Sequence, residues 1–280
     1  MRFLLNTRRV GHGGTLDPAA TGVLVVLIGR ATKLASWLGG GQKVYDATIR
    51  FGSATSTDDA EGEVIATAPV PQLTGAEIEE SARGLIGEIE QIPPAVSAVR
   101  VDGQRAYKAA RRGEPLNIAA RLVSIASIQV IEWRSPDLRV RVSCGTGTYI
   151  RSLARDWAQM LGSVGHVVAL RRERSGPYRV EDAITLDEAA AQIESGGAES
   201  IVRPPDAEIV KCIGRTVVLS ESEELRYRFG TQVENIAGDE GTVAVLGRTG
   251  NLIGVADLRI SADGCRLLQP RVIMAPAHAG

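Results

Sequence analysis

A glycine-rich segment near the start of the sequence carries one histidine and one carboxylate in a setting that suits catalysis. Residues 9–24 read RVGHGGTLDPAATGVL, which includes His12 and Asp17. Glycines permit close backbone approaches that a side chain would block, and Pro18 fixes the backbone directly after Asp17. Such a loop is suited to mounting one reactive group, and Asp17 is the carboxylate that it presents. The alternative interpretation is an ordinary Asp-Pro turn with a nearby surface histidine.

Two arginines one helical turn apart form a second feature. Residues 149–160 carry apolar side chains at helical spacing, which predicts a helix, and Arg151 and Arg155 share another face of it. Like charges at this spacing repel each other. We therefore expect the pair to face anions, either a carboxylate or phosphates.

Regular elements must position these groups, and the hydrophobic pattern predicts most of them. The apolar run 23–28 is long enough for a buried element and far too short to span a membrane. Residues 45–51 alternate with Tyr45 on the apolar face, which predicts a half-buried strand. Capping-box patterns at 74–77 and 185–188 each predict the beginning of a helix. Further strands are predicted at 63–66, 122–133, 138–144, 164–170, 216–219, 232–234, 242–247 and 252–259, and further helices at 31–38 and 105–112.

The mixture of helices with strands of antiparallel type predicts an α+β fold. The glycine run 39–41 is expected to end the helix at 31–38. Residues 203–206 read as a linker, beyond which strands predominate. We therefore predict a catalytic domain over 1–205 and a small β-rich domain over 206–280.

The composition indicates a folded protein of the reducing cytoplasm. Hydrophobic residues make up 44% of the 280 and charged residues 23%, which excludes a disordered chain. The three cysteines lie far apart without a CxxC pair, so the sequence indicates neither a zinc site nor a disulfide framework. The first apolar segment is too short for a signal peptide. We expect a soluble, cytoplasmic protein without a bound metal.

The charges are segregated along the chain although the net charge is only −1. Residues 1–50 carry seven Lys or Arg against two Asp or Glu, and residues 101–150 carry eight against four. Acidic residues are concentrated in 51–100, with nine against two bases. This distribution is compatible with one basic face for a phosphate backbone, and also with ordinary variation in surface charge.

The string GHGGTLDPAATGVL at residues 11–24 closely resembles the catalytic-loop motif of the TruB-type tRNA pseudouridine synthases. The resemblance implies that Asp17 attacks a target uridine that has been flipped out of its stack, without a cofactor. The string CGTGTYIRSL at 144–153 resembles the family segment whose arginine, here Arg151, pairs with that aspartate. An arginine in this place would keep the carboxylate ionised.

The same resemblance implies roles for other residues. Tyr45 matches the tyrosine that stacks on the flipped base and takes part in proton transfer, although the strand alone would make it a core aromatic. His12 resembles the histidine that occupies the space of flipped bases, although it could be a loop histidine satisfied by backbone. Residues expected to contact substrate are His12, Gly14, Thr15, Lys108, Tyr149 and Leu170.

The resemblance extends from about residue 8 to 178 and implies the pseudouridine synthase fold around a largely antiparallel sheet. The tail from about residue 211 weakly resembles the family's PUA-like domain. The implied reaction is conversion of uridine 55 in the T-arm of tRNA by a monomeric enzyme that is not associated with membranes. The chain lacks the strand and Lys-Pro-x-Gly segment that precede the family's catalytic loop, which leads us to expect an exposed sheet edge.

Two other functions fit parts of the sequence. A non-catalytic tRNA-binding or folding factor would keep the cleft without turnover. A nucleotide-dependent enzyme would use a glycine-rich phosphate loop, but Ile150 stands where a dinucleotide motif needs its third glycine, and the sequence holds no Gly-Lys-Ser/Thr.

Overall fold

A computed structural model describes residues 1–38, 41–114, 116–204, 206–234, 236–262 and 264–274. These residues group into two compact units by their internal contacts. Unit A comprises Thr15–Leu24 and Gly41–Ala183, and unit B comprises Met1–Gly14, Val25–Gly40 and Ile184–Gly280. These units are defined by contacts and do not test the predicted domain boundary between residues 205 and 206, which stays a prediction. The helix stop expected at 39–41 falls mostly outside the described residues, as does Pro205 of the predicted linker.

The strands are β1 Val10–His12, β2 Thr21–Gly22, β3 Val26–Ile28, β4 Lys43–Phe51, β5 Ser53–Thr55, β6 Val64–Thr67, β7 Gly87–Gln91, β8 Arg100–Val101, β9 Gln104–Arg105, β10 Arg121–Arg134, β11 Asp137–Cys144, β12 Gly165–Ser175, β13 Tyr178–Arg179, β14 Thr216–Val218, β15 Val233–Glu234, β16 Gly241–Leu246, β17 Leu252–Ile260 and β18 Arg266–Ile273. The α-helices are α1 Ala35–Leu38, α2 Gly75–Arg83, α3 Ala106–Ala110, α4 Ile150–Met160, α5 Leu186–Gly196, α6 Asp206–Ile213 and α7 Glu221–Arg228. Short 3-10 helices cover Gly29–Leu34, Val180–Asp182 and Ala198–Ser200.

Unit A is built on a seven-stranded sheet in the order β13-β12-β4-β11-β10-β7, with β2 added beside β12. The pairs along this order are antiparallel, while β2 pairs with β12 in parallel. The apolar side chains of β4 and β11 share one buried core cluster with those of α2 and α4, in which Trp157 of α4 is fully buried. The predicted α+β class and largely antiparallel sheet are confirmed.

The opposite face of this sheet carries ion pairs between side chains of different strands. Arg50 binds Asp137 through two hydrogen bonds of 2.8 Å, and Arg139 and Asp46 form a similar two-bond contact. Arg141 binds Glu173 in the same way. The alternation of β4 and β11 thus separates an apolar face from one on which arginines and carboxylates are paired.

The capping boxes predicted at α2 and α5 are both present. Thr74 accepts a hydrogen bond from the Glu77 N–H while the Glu77 carboxylate accepts one from the Thr74 N–H, and Thr185 and Glu188 do the same. Burial of Ile78 and Ala82 then attaches α2 to the core of unit A. Local sequence therefore determines where these two helices begin.

Unit B contains a five-stranded sheet in the order β14-β16-β17-β18-β15 and a two-stranded sheet of β1 and β3. The hydroxyl of Tyr227 on α7 is buried and lies 3.0 Å from the Val255 carbonyl oxygen and 3.1 Å from that of Val272. Among the described residues, no helix has the length and apolar character needed to cross a membrane. The predicted β-rich C-terminal region is confirmed, with α6 and α7 in addition.

The strand predicted at 164–170 is longer than its pattern indicated. β12 continues to Ser175, so the basic run 171–174 lies within the strand and not after it. Irregular register between Val167 and Ala169, and again between Arg172 and Arg174, interrupts the alternation of side chains. Because a bulge breaks the alternation of apolar and polar residues, a strand that contains one is not recognised in full from its sequence pattern.

Candidate active site

The carboxylate of Asp17 forms a two-bond ion pair with Arg151. The Arg151 Nε donates to Oδ2 at 2.9 Å, and Nη2 donates to Oδ1 at 2.7 Å. The arginine side chain is 4% exposed and the aspartate side chain 28%, so a buried cation holds a partly accessible carboxylate. This geometry fixes the plane of the carboxylate as well as its position.

The remaining donors of Arg151 are also occupied. Nη1 donates to the Thr57 carbonyl oxygen at 2.8 Å and lies 3.5 Å from Oδ2 of Asp59, while Nη2 donates to the Val96 carbonyl oxygen at 3.0 Å. A buried guanidinium needs such partners because burial removes its hydration. The two loops that supply them therefore hold Arg151 in one orientation.

A buried glutamine fixes the start of the helix that carries Arg151. Gln91 at the end of β7 accepts from the Tyr149 N–H at 2.8 Å and donates to the Tyr149 carbonyl oxygen at 3.1 Å. In the first turn of α4, the Ser152 hydroxyl donates to the Ile92 carbonyl oxygen at 2.8 Å. The connector after β7 is thus bonded to the same helical turn as Arg151.

The second arginine of α4 also faces carboxylates. Arg155 donates to Asp58 at 3.0 Å and to Asp156 at 2.9 Å, and its third contact is the Ile92 carbonyl oxygen. Burial raises the pKa of Asp58, an effect that the positive charges of Arg155 and Arg151 oppose. Of the two anions predicted for the arginine pair, the structure shows carboxylates.

A pocket opens beside the Asp17–Arg151 pair. Its lining includes residues 167–170 of β12, Ala19 and Ala20 of the loop, Ala60, and the carboxylate residue Asp59. Apolar side chains next to the Asp17 carboxylate offer a surface on which a planar base could rest. The structure therefore brings together three of the predicted site residues, Asp17, Arg151 and Leu170.

Tyr45 lies on the buried face of β4 and is 7% exposed. Burial raises the pKa of its phenol, the positive charge of the cross-strand neighbour Arg172 lowers it, and the Asp17 charge raises it further. Tyr45 is therefore a member of the core cluster and also within electrostatic range of Asp17. The two interpretations of this residue from sequence are compatible.

The other predicted contact residues lie in different places. Thr15 is exposed just before Asp17, Lys108 is exposed on α3, and Tyr149 packs with the small cluster of Val99, Ala106 and Ile118. His12 is exposed in β1 of unit B, and Gly14, also of unit B, has a φ of 120°. Among the described residues, no group of three or more His, Cys, Asp or Glu side chains could hold a metal ion.

Four residues that contact Arg151 or its helix were not predicted as site residues: Thr57, Asp59, Gln91 and Val96. Thr57 and Val96 act through backbone carbonyl groups, which carry no sequence signal. Asp59 lies in a polar loop. Gln91 ends the edge strand β7, whose other residues are exposed apart from the partly buried Ile89. A signal was available for Asp59, as a carboxylate next to Asp58.

Gly22 shapes the return of the Asp17 loop to the sheet. It has a φ of +96°, and a Cβ there would lie 2.2 Å from the Arg172 carbonyl oxygen. Thr21 and Gly22 pair with Arg171 and Arg172, and the Val23 N–H donates to the Arg172 carbonyl oxygen at 2.9 Å. The glycine permits this close approach of two backbones.

We expect Gly22→Ala to lower the free energy of unfolding by more than the roughly 1–3 kcal/mol of a strained backbone alone, because the new methyl group overlaps a carbonyl oxygen. Urea unfolding measures the loss. Gly103→Ala is the matched control, since Gly103 also has a positive φ, +79°, but nothing lies within 4 Å of the place that its new methyl group would take. Equal losses in the two variants would contradict the overlap.

Comparison with known proteins first identifies the fold. The chain superimposes on a protein of a Cbf5-Nop10-Gar1 complex with a TM-score of 0.75 and 24% identity, covering 99% of this chain and 81% of that one. It superimposes on a chain of an H/ACA RNP bound to a substrate RNA with a TM-score of 0.74 and 22% identity, covering 98% and 79%. At this identity the likeness concerns the fold alone.

Sequence comparison then identifies the family. The model of the TruB family pseudouridylate synthase N-terminal domain matches residues 2–150, and that of the tRNA pseudouridylate synthase B C-terminal domain matches 151–208. The tRNA pseudouridine synthase B of Thermobifida fusca is 44% identical over 98% of this chain and 92% of its own length. That of Trichormus variabilis is 38% identical over 99% and 92%. The chain belongs to the TruB family of pseudouridine synthases and is an enzyme that isomerises uridine to pseudouridine.

Proposed function

We propose that this enzyme converts the uridine at position 55 in the T-arm of tRNA, with Asp17 as the nucleophile on a flipped-out base. The observation that carries the proposal is the two-bond Asp17–Arg151 pair at the edge of an apolar pocket. A carboxylate held by two hydrogen bonds in this way presents its oxygens in a fixed orientation for nucleophilic attack. Relatives that match over nearly the whole chain are named tRNA pseudouridine synthase B, which supports tRNA as the substrate.

The reaction needs no co-reactant. The bond between N1 and C1′ breaks, a bond between C5 and C1′ forms, the proton at C5 leaves and N1 acquires a proton. Asp17 supplies the nucleophile, at C1′ or at C6 of the nucleotide. Arg151 holds and orients its carboxylate, and Leu170 lines the pocket for the base. Tyr45 serves in stacking and in proton transfer.

The remaining assignments belong to RNA binding. His12 occupies space that flipped bases vacate, while Gly14, Thr15, Tyr149 and Lys108 contact the substrate. We propose that the enzyme acts as a monomer in the cytoplasm and that 1–205 and 206–280 are its catalytic and PUA-like domains.

The proposal is tested with unmodified tRNA carrying tritium at C5 of uridine. We expect tritium release with pseudouridine mapped to position 55, no release from a tRNA with cytidine at that position, and none with Asp17→Ala. Release that maps to another uridine would refute the position. Tight binding of tRNA without release by the unaltered enzyme would refute the reaction.

A second expectation concerns Tyr45. Because burial raises the pKa of its phenol above the ordinary value of about 10, the phenol stays neutral through alkaline assays. The ratio of single-turnover rates for the unaltered enzyme and Tyr45→Phe should therefore be large, on the order of 100-fold, and constant from about pH 7 to pH 10. A ratio that rises about tenfold per pH unit would show that the phenolate is the active form.

A further inference from the structure

A fully buried arginine beside the active site has no part in the chemistry described above. Arg172 on β12 is 0% exposed. Burying a guanidinium is costly unless its donors are used, so its contacts indicate what it stabilises. They lie on the catalytic loop and on Tyr45.

The side chain of Arg172 is bonded to both ends of the catalytic loop. Nε donates to the Val23 carbonyl oxygen at 2.7 Å, and Nη1 donates to the Thr15 carbonyl oxygen at 3.2 Å. The backbone of the same residue accepts the Val23 N–H at 2.9 Å. Asp17 lies between these two attachment points. One guanidinium therefore holds together the two ends of the loop segment from Thr15 to Val23.

Arg172 is also the cross-strand partner of Tyr45 in the pairing of β4 with β12, and both side chains are buried. A guanidinium has no acceptor and does not lose its proton in proteins. The Tyr45 oxygen can therefore only accept from this neighbour, and its own O–H proton is directed elsewhere. Arg172 in this way restricts the direction in which the phenol can donate.

We propose that Arg172 is a positioning residue that fixes the Asp17 loop and the Tyr45 hydroxyl relative to each other. Lysine would not replace it, because one ammonium lacks the planar fork that reaches two carbonyl groups at once beside the phenol. The inference rests on the catalytic roles proposed for Asp17 and Tyr45.

The test compares Arg172→Lys with Arg174→Lys, the same substitution at an exposed position of the same strand. We expect Arg172→Lys to lower the single-turnover rate on T-arm RNA about 100-fold, as small misplacements of reacting groups do, with the Kd for RNA within about threefold. Amides of residues 19–24 should exchange hydrogen faster, while those of α4 are unchanged. Arg174→Lys should alter neither quantity.

A double-mutant cycle tests the connection through Tyr45. In the Tyr45→Phe background the effect of Arg172→Lys on the rate should be smaller than in the unaltered enzyme, since one of its targets is already gone. Fully independent effects would overturn this half of the inference.

Several outcomes would overturn the rest. One is that Arg172→Lys lowers the single-turnover rate but leaves amide hydrogen exchange in residues 19–24 unchanged. Another is that exchange in these residues becomes faster while the rate is unchanged. If the lysine variant does not fold, Arg172→Gln, which brings no charge into the buried position, is measured in the same way. Failure of both to fold would make Arg172 a folding residue. Inactivity of the unaltered enzyme on T-arm RNA would refute the proposed function instead, and the exchange measurement would still report on the loop.

Discussion

Asp17→Asn is expected to abolish turnover while leaving the protein folded and able to bind RNA. A carboxamide is a very poor nucleophile, and its NH₂ group would face the N–H donors of Arg151 where the carboxylate now accepts two hydrogen bonds. Loss of a nucleophile typically costs a factor of at least about 10⁴ in rate. Single-turnover tritium release measures this loss, and filter binding of T-arm RNA measures affinity.

The control for Asp17→Asn is Asp59→Asn, which alters the more distant carboxylate, 3.5 Å from Arg151. This variant should retain measurable release because the Asp17–Arg151 bonds remain. Release by Asp17→Asn above about one per cent of the unaltered rate, with deamidation back to aspartate excluded by mass spectrometry, would contradict the assignment of Asp17 as nucleophile.

Arg151→Met should have the second-largest effect, on stability as well as on rate. It would leave Asp17 and Asp59 without their cation and the carbonyl groups of Thr57 and Val96 without a donor. Removing one partner of a buried pair costs about 3–5 kcal/mol, and the partial exposure of Asp17 places this case at the lower end. Chemical denaturation measures the loss, and the rate should fall by at least about 100-fold.

The matched control is Arg50→Met. Arg50 binds Asp137 with the same two-bond geometry, but the two side chains are 47% and 33% exposed. Exposed pairs contribute about 0–1 kcal/mol, so this variant should lose little stability and no activity. Similar losses for the two arginines would mean that burial does not determine the strength of the Arg151 contacts.

The parts of the fold that local sequence determines were predictable. The capping boxes at α2 and α5 begin both helices because their hydrogen bonds connect residues only three positions apart. The alternation in β4 and β11 predicted which side chains are buried. A third capping box, between Ser220 and Glu223, begins α7 and was overlooked because that helix has no apolar face.

Elements that depend on distant partners were not predictable in the same way. β7 has one largely buried side chain, Gln91, and forms because its backbone pairs with the free edge of β10. β18 contains Pro270, which argues against a strand, but the register shifts beside it at the point where it pairs with Ala256.

The candidate site also contains parts that local sequence predicts and parts that only the folded chain reveals. Asp17 and Arg151 could be paired from their motifs, which resemble a known family. The carbonyl groups that surround Arg151 could not, because backbone groups are alike at every position and only the folded chain selects two of them. The bonds of Arg172 to the catalytic loop were hidden for the same reason.

The paired charges on the outer face of the unit A sheet affect how the affinity of this enzyme for RNA should depend on salt. Arginine accounts for 28 of the 32 basic residues, but Arg50, Arg139 and Arg141 each already bind a carboxylate of another strand of the sheet. An arginine neutralised in this way releases few counterions from a phosphate backbone. The slope of log Kd against log salt concentration should therefore reflect only the unpaired basic side chains that contact RNA phosphates. We expect this slope to be much smaller than the arginine content of the chain implies.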